Sequence, residues 1–273
     1  MRLPCFSRET TSTGVCFTSR CPNYDFGIGD CSLLWIMSHN GFLPEHIEAL
    51  RGFDSCSISN AIEVLNVRPR NEGYIQGTCQ CMFPNLPPVV GHAVTGRMRS
   101  ASHPVHGHVY YDHLEWWRFV ESVPAPRIVV LLDADDPPAV GALFGEIHAR
   151  ICRALHCVAY ISNGAVRDIP GVEAQGFQVF ASRPCVSHAY AHVVDFGEPI
   201  ELGGLRIHTG DVLHGDLHGV QSIPADVVRK LPEIAKQLLR EERDFIAECL
   251  DGNFSLERLS TAIREHAEGH KHK

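Results

Sequence analysis

The chain has 273 residues, 44% of them apolar, with a mean hydropathy of -0.06, enough to build a sizeable core in one large domain or two smaller ones. Its 24 basic and 32 acidic side chains leave a formal charge of -8, which argues against broad binding to nucleic acid or anionic membranes while leaving room for a small anion at a local arginine. No apolar run approaches the roughly 20 residues of a membrane-spanning helix, and Pro4, Arg8 and Glu9 interrupt the place where a secretory signal needs its apolar stretch, so a cytoplasmic location is expected.

Residues 1–44 mix Cys, Pro, Gly, Ser and Thr without sustained periodicity and read as an extension or accessory segment. Gly27 and Gly29 within it, like Gly203 and Gly204 later, lack the spacing and strand-to-helix context of a dinucleotide fingerprint. A domain is expected over residues 45–250. Its first helix lies in FDSCSISNAIEVLN, with Asn60 as the expected cap and Glu63 in the reciprocal capping position. Cys79 and Cys81 miss the CxxC spacing and no second pair completes a zinc site, so the eleven cysteines read as reduced core residues. A strand is expected near Val89 to Thr95, followed by a His-rich connection and the segment LEWWRFVES, whose Trp116 and Trp117 suit core packing or a subunit contact.

Arg127 to Leu132 is a continuous apolar, β-branched run, the pattern of a strand buried on both faces, and Asp133, Asp135 and Asp136 mark its exit. The next helix lies within AVGALFGEIHARICRALHC, where the four-residue spacing of Ile147, Ile151 and Leu155, with Cys152 on the adjacent side, predicts the stripe that packs on a sheet. CVAYI then forms a strand, so the local order is strand, helix, strand, with SNGAVRD at the carboxyl edge of the second strand, a common place for function in open α/β folds. FQVFA is a further strand. Glycines and short β-branched runs predict strands and turns up to Pro224, and VVRKLPEIAKQLLREERDFIAECL returns to helix. Residues 251–273 read as a helical or partly flexible tail, with EHAEGHKHK fraying at its end.

The charged pair Arg167 and Asp168 is the main chemical candidate. A carboxylate is a hard ligand suited to magnesium or manganese, and a guanidinium offers a fixed donor fork to a carboxylate or enolate. Adjacent residues of a strand point to opposite faces, so no mutual salt bridge is implied, and solvated loop charges remain the alternative. Gly145, Glu146, Ile147 and His148 open the packed helix, where backbone N–H groups can hold an anion; Glu146 either orients water or simply complements the helix dipole. His188, His192, His214 and His218, with Asp211 and Asp216, are grouped in sequence, which does not place them together in space. Cys185 has no identifiable base partner and reads as structural.

The run GEIHARICRALHCVAYISNGAVRD, followed by GFQVFA, GEPIELGGLRIHTGDVLHGD and HGVQSIP, resembles the RraA-like family over about residues 47–249. That family includes metal-dependent 4-hydroxy-4-methyl-2-oxoglutarate and 4-carboxy-4-hydroxy-2-oxoadipate aldolases, and regulators of an RNA-processing endonuclease. The resemblance implies one α/β domain of the swivelling β/β/α type, with helices packed on a central sheet, assembled as a trimer or a dimer of trimers with clefts near subunit interfaces. It implies substrate contacts from the backbone of Gly145 to His148 and from Arg167, a divalent metal on Asp168, Mg2+ foremost and Mn2+ as the alternative, and a catalytic water organised by Glu146. Asn163 stands where the common form has aspartate, and His218 where many relatives carry an acid; with His188, His214 and Asp216 these are candidates for a supporting layer. The expected function is cleavage of a carbon–carbon bond in a small 2-oxoacid, by retro-aldol reaction to pyruvate or by oxaloacetate decarboxylation. A protein-binding regulator of an RNA-processing enzyme, needing no direct nucleic-acid contact, is the alternative.

Overall fold

The structure, a computed structural model, describes residues 44–104, 114–250 and 254–271. Most of the expected extension and of the His-rich connection lies outside the described residues. Among those described, no helix is long and apolar enough to cross a membrane.

The first helices are α1 (Pro44–Leu50) and α2 (Ser55–Leu65). The cap of α2 is Asp54, whose carboxylate accepts the Ser57 N–H at 2.7 Å, whereas Asn60 lies within the helix. The expected cap was displaced because the helix begins where the rest of the fold can hold it: Ser55 N–H donates to Asp216 at 2.8 Å and its hydroxyl meets His214 Nδ1 at 3.0 Å.

After the short β1 (Gln80–Cys81) comes β2 (Val89–Arg99), several residues longer than its apolar core predicts. Next come α3 (Leu114–Ser122), β3 (Arg127–Asp133), α4 (Glu146–Ala154), β4 (Cys157–Ile161), β5 (Ala165–Val166) and α5 (Ile169–Glu173). The strands β6 (Gln178–Ala181), β7 (Arg183–Pro184), β8 (His192–Phe196), β9 (Ile200–Leu202), β10 (Leu205–Ile207), β11 (Val212–Asp216) and β12 (Gly219–Ile223) follow. The chain ends with α6 (Leu231–Leu250) and α7 (Leu256–Lys271), so the segment expected to fray is helical up to Lys271.

The main sheet runs β1, β6, β4, β3, β2, β11, β12. The strands β2, β3, β4 and β6 are mutually parallel, and the others in the sheet are antiparallel to their neighbours. The outer edge of β2 is divided: its amino half pairs with β11 and its carboxyl half with β8. The helices α3 and α4 cover one face, over Val129, Leu131 and Tyr160; the hairpin β9–β10 covers the other, over Ile128, Val130 and Phe180. Burial on both faces is the reason β3 reads as an unbroken apolar run. Each such aliphatic side chain contributes roughly 1.5–3 kcal/mol by leaving water. A separate cluster joins α1, α2 and α6 to the far end of the sheet.

The packing face of α4 matches the expected one in part: Leu155 packs against the core and Cys152 is buried. Ile147 is 53% exposed, and the buried face is His148, Ala149 and Cys152. Small residues bring the helix axis close to the sheet, and this close approach, not the largest apolar side chains, sets the helix rotation.

Candidate active site

Arg167 and Asp168 follow β5, beyond the carboxyl end of β4, and Gly145 caps the amino end of α4 beside them. The two segments are joined by the Arg167 N–H donating to the Phe144 carbonyl at 3.0 Å. Asp168 has φ of 54°, a left-handed conformation that breaks the alternation of an extended strand. The two charges therefore turn to the same side, and Arg167 Nε donates to Asp168 Oδ1 at 3.2 Å. The sequence rule of opposite faces fails here because of that one backbone angle.

The other carboxylate oxygen of Asp168 lies 3.4 Å from the Glu146 N–H. The helix start expected to hold an anion thus already faces a carboxylate of the chain itself. Gly145 makes the approach possible: a Cβ there would stand 2.6 Å from Asp168 Oδ2 and 3.0 Å from Arg167 Cγ. The Glu146 carboxylate is engaged by Arg150, at 3.0 Å from Nε and 2.7 Å from Nη2. The contact spans four positions, the spacing at which side chains on one helix face meet.

Arg167 Nη1 also donates to the His188 imidazole, 2.9 Å from Nδ1 and 3.0 Å from Nε2. Burial and then the Arg167 charge hold His188 below the ordinary histidine range, with Asp168 opposing them. The His148 side chain is buried beneath the cleft, its ring centroid 5.7 Å from Trp117 and 6.0 Å from Phe144. Burial, then the neighbouring His188 imidazole, which disfavours a second positive charge beside it, pushes the pKa of His148 down to about 4.

Asn163 does not face Arg167 or Asp168. It ties down the exit of β3, accepting the Asp133 N–H at 2.7 Å and donating to the Asp133 carbonyl at 3.0 Å. The Asp133 carboxylate, which burial pushes up from the usual carboxylate range, in turn receives the Ala139 N–H at 2.7 Å and the Asp135 N–H at 3.1 Å, shaping the loop that leads to Gly145. An aspartate at position 163 could accept but, ionised, could not donate, so the amide fits this double contact.

The remaining candidates lie elsewhere. Gly215 pairs with Val89 at the amino end of β2, while Met98 pairs with Asp133 at its carboxyl end. His214, Asp216 and His218 thus sit on the order of 30 Å along the strand from the Arg167 end. There they serve the α2 junction: His214 meets Ser55 and the Phe53 carbonyl, and Asp216 receives the His218 N–H at 2.8 Å. Of the sequence-grouped histidines, only His188 reaches the charged pair.

The donor set fits one kind of metal. Asp168 offers hard oxygens on a side chain 41% exposed, and among the described residues no group of three or more His, Cys, Asp or Glu is gathered to enclose an ion. A single carboxylate suits magnesium or manganese, which keep several waters, and does not suit zinc or a caged calcium.

The glycine-capped start of α4 thus faces an Arg-Asp turn at one end of a parallel-centred α/β sheet. The sequence profile of the RraA-like family, Aldolase/RraA, matches residues 55–221, and the chain belongs to that family. It is 26% identical over 114 residues, 41% of this chain and 54% of the other, to a putative 4-hydroxy-4-methyl-2-oxoglutarate aldolase of Halalkalibacterium halodurans. The matched stretch spans about half the length of the curated relatives, 54% and 45%. Among solved structures, an uncharacterized protein from Pseudomonas syringae pv. tomato superimposes with a TM-score of 0.64 at 18% identity, covering 82% of this chain and 95% of that one. RraAS2 of Streptomyces coelicolor, described as an unusual member of the RNase ES inhibitor RraA protein family, gives 0.59 at 17% identity, covering 74% and 96%. These likenesses establish the fold; the family holds both aldolases and RraA regulators.

Proposed function

We propose that the Arg167–Asp168 cleft cleaves the C3–C4 bond of a small 4-hydroxy-2-oxoacid by retro-aldol reaction, releasing pyruvate, with Mg2+ or Mn2+ as cofactor. The observation that carries this reading is the convergence of the Arg167 guanidinium, the Asp168 carboxylate and the Glu146 N–H within 3.2–3.4 Å contacts at one end of the sheet. Asp168 would hold the cation, which when bound supplies Lewis-acid polarisation of the 2-oxo group. Arg167 and the backbone from Gly145 to His148 orient the carboxylate end of the substrate, and Glu146 orders a water at the helix start. Oxaloacetate decarboxylation uses the same electron sink and is proposed as an accompanying activity. A cytoplasmic trimer or dimer of trimers is proposed with it. Purified protein with Mg2+ and 4-hydroxy-4-methyl-2-oxoglutarate should release pyruvate, and Asp168→Asn should lose at least about 100-fold of that turnover; equal rates would dismiss the cleft as the site.

A second reading is a non-catalytic, protein-binding regulator of an RNA-processing enzyme, and the comparisons lean towards it. The relative described as an RNase ES inhibitor family member shares the fold over 74% of this chain. One observation in this chain also favours it: Ile147 and Val186, 53% and 94% exposed, put apolar surface on the two segments that border the charged pair, surface suited to a protein partner. Absence of turnover across a broad oxoacid panel, with saturable binding to an RNA-processing endonuclease, would select this reading.

A further inference from the structure

The segment carrying His188 is built to place that side chain. Cys185 N–H donates to the Val166 carbonyl and Ala142 N–H to the Ser187 carbonyl, both at 2.9 Å. Ala189 N–H donates to the Ser187 hydroxyl and Ala191 N–H to the His188 carbonyl, both at 3.0 Å. Gly141 lets the segment lie this close, since a Cβ there would collide with the His188 carbonyl. Ala189 is held at φ of 49°, a left-handed conformation that costs a side-chain-bearing residue roughly 1–2 kcal/mol. Four hydrogen bonds and one strained residue thus fix a half-buried imidazole that is absent from the apolar core.

The imidazole lies against Arg167, with Nη1 2.9–3.0 Å from both ring nitrogens. A single donor this close to both ring nitrogens stands over the face of the ring and not along either in-plane lone pair, so the lone pair of the neutral ring stays open to a proton. Arg167 and Asp168 are among the ionisable groups that act on it, and His148 is a further titratable neighbour. Glu146, the other candidate for handling a proton, has its carboxylate drawn along α4 by Arg150. A neutral imidazole beside the guanidinium that orients the substrate is the better placed of the two to receive one.

We propose that His188 is a catalytic residue of this cleft, carrying the proton of the substrate's C4 hydroxyl to C3 of the three-carbon product. The inference rests on the lyase reading. A ring nitrogen takes the hydroxyl proton as the C4–O bond becomes a carbonyl and the C3–C4 bond breaks. The electron pair of that bond becomes the C2–C3 double bond, and the C2 carbonyl pair moves onto its oxygen. The imidazolium then protonates C3, the C2 carbonyl reforms, and His188 is neutral again. The hydroxyl proton ends in the methyl group of pyruvate, and no other reactant is consumed. Run on pyruvate alone, the second half of this cycle exchanges methyl hydrogen for solvent deuterium.

The test compares the full-length wild type with His188→Gln and His188→Ala, all with Mg2+. Glutamine keeps an acceptor for Arg167 but cannot carry a proton. Pyruvate release from 4-hydroxy-4-methyl-2-oxoglutarate and deuterium exchange into pyruvate, read by NMR, are measured separately. Both rates should fall on the order of 100-fold in both variants, with KM changed by no more than about threefold, and added imidazole should restore part of the loss in the alanine variant. A glutamine variant with wild-type kcat, or a loss confined to KM, would overturn the role of His188 and leave the lyase reading standing. A wild-type chain showing neither cleavage nor exchange would remove the lyase reading and this inference together.

Discussion

The burial of His148 gives the clearest quantitative prediction, and it does not depend on the function. The ring is enclosed by Trp117 and Phe144, and its pKa falls from 6.5 to about 4. Between these values the unfolded chain binds a proton that the folded chain does not, so stability rises with pH across the window. The contribution of keeping this ring neutral is fully present above pH 6.5 and is lost as pH falls towards 4. The whole shift corresponds to about 3 kcal/mol, with about 2.5 kcal/mol gone at pH 4.5, a large share of the roughly 5–15 kcal/mol that holds a typical domain together. His92, His188 and His214 are also held below their ordinary range, by burial first, and add to the acid sensitivity of the wild type. His148→Leu removes only one share. Urea unfolding followed by tryptophan fluorescence, at fixed protein concentration and at pH 7.5 and 4.5, should show the variant losing about 2.5 kcal/mol less than the wild type between the two conditions. Equal losses in the two proteins would refute the claim that this histidine is neutral in the fold.

Two further substitutions probe the frame of the cleft. Gly145→Ala places a Cβ 2.6 Å from Asp168 Oδ2, so the carboxylate must move; oxoacid turnover should fall about 10- to 100-fold with a melting temperature shifted by only a few degrees, and unchanged turnover would mean that the position of Asp168 is unimportant. Asn163→Asp turns a donor to the Asp133 carbonyl into an acceptor and should cost about 1–3 kcal/mol in urea unfolding at neutral pH; a variant as stable as the wild type would show that the double contact contributes nothing.

The parallel strands around the site were legible because burial on both faces leaves an unbroken apolar run, as in Ile128 to Leu132, and because the Arg-Asp pair lies one short turn beyond the strand Cys157–Ile161. The rotation of α4 was legible in part, since Leu155 and Cys152 pack as expected. Ile147 and Ile151 form the more apolar stripe, yet close approach to the sheet selects Ala149 and Cys152, a choice made by the space between helix and strand. The cap of α2 was misplaced for a related reason. Asp54 and Asn60 are comparable caps in isolation, and the start is fixed by His214 and Asp216, some 160 residues away in sequence. The grouped histidines divided because β11 runs antiparallel to β2, carrying His214 and Asp216 to the far end of the sheet, while the loop after β7 returns His188 to Arg167. No local pattern carries that distinction.

A crystal structure of the assembled protein soaked with Mn2+ and oxalate, an inert relative of the pyruvate enolate, would test the central claim most directly. The account predicts anomalous density within bonding distance of an Asp168 oxygen, with one oxalate carboxylate held by Arg167 and the Gly145–His148 backbone. Manganese bound elsewhere, with Asp168 still turned to Arg167 and the Glu146 N–H as it is in the free chain, would contradict it.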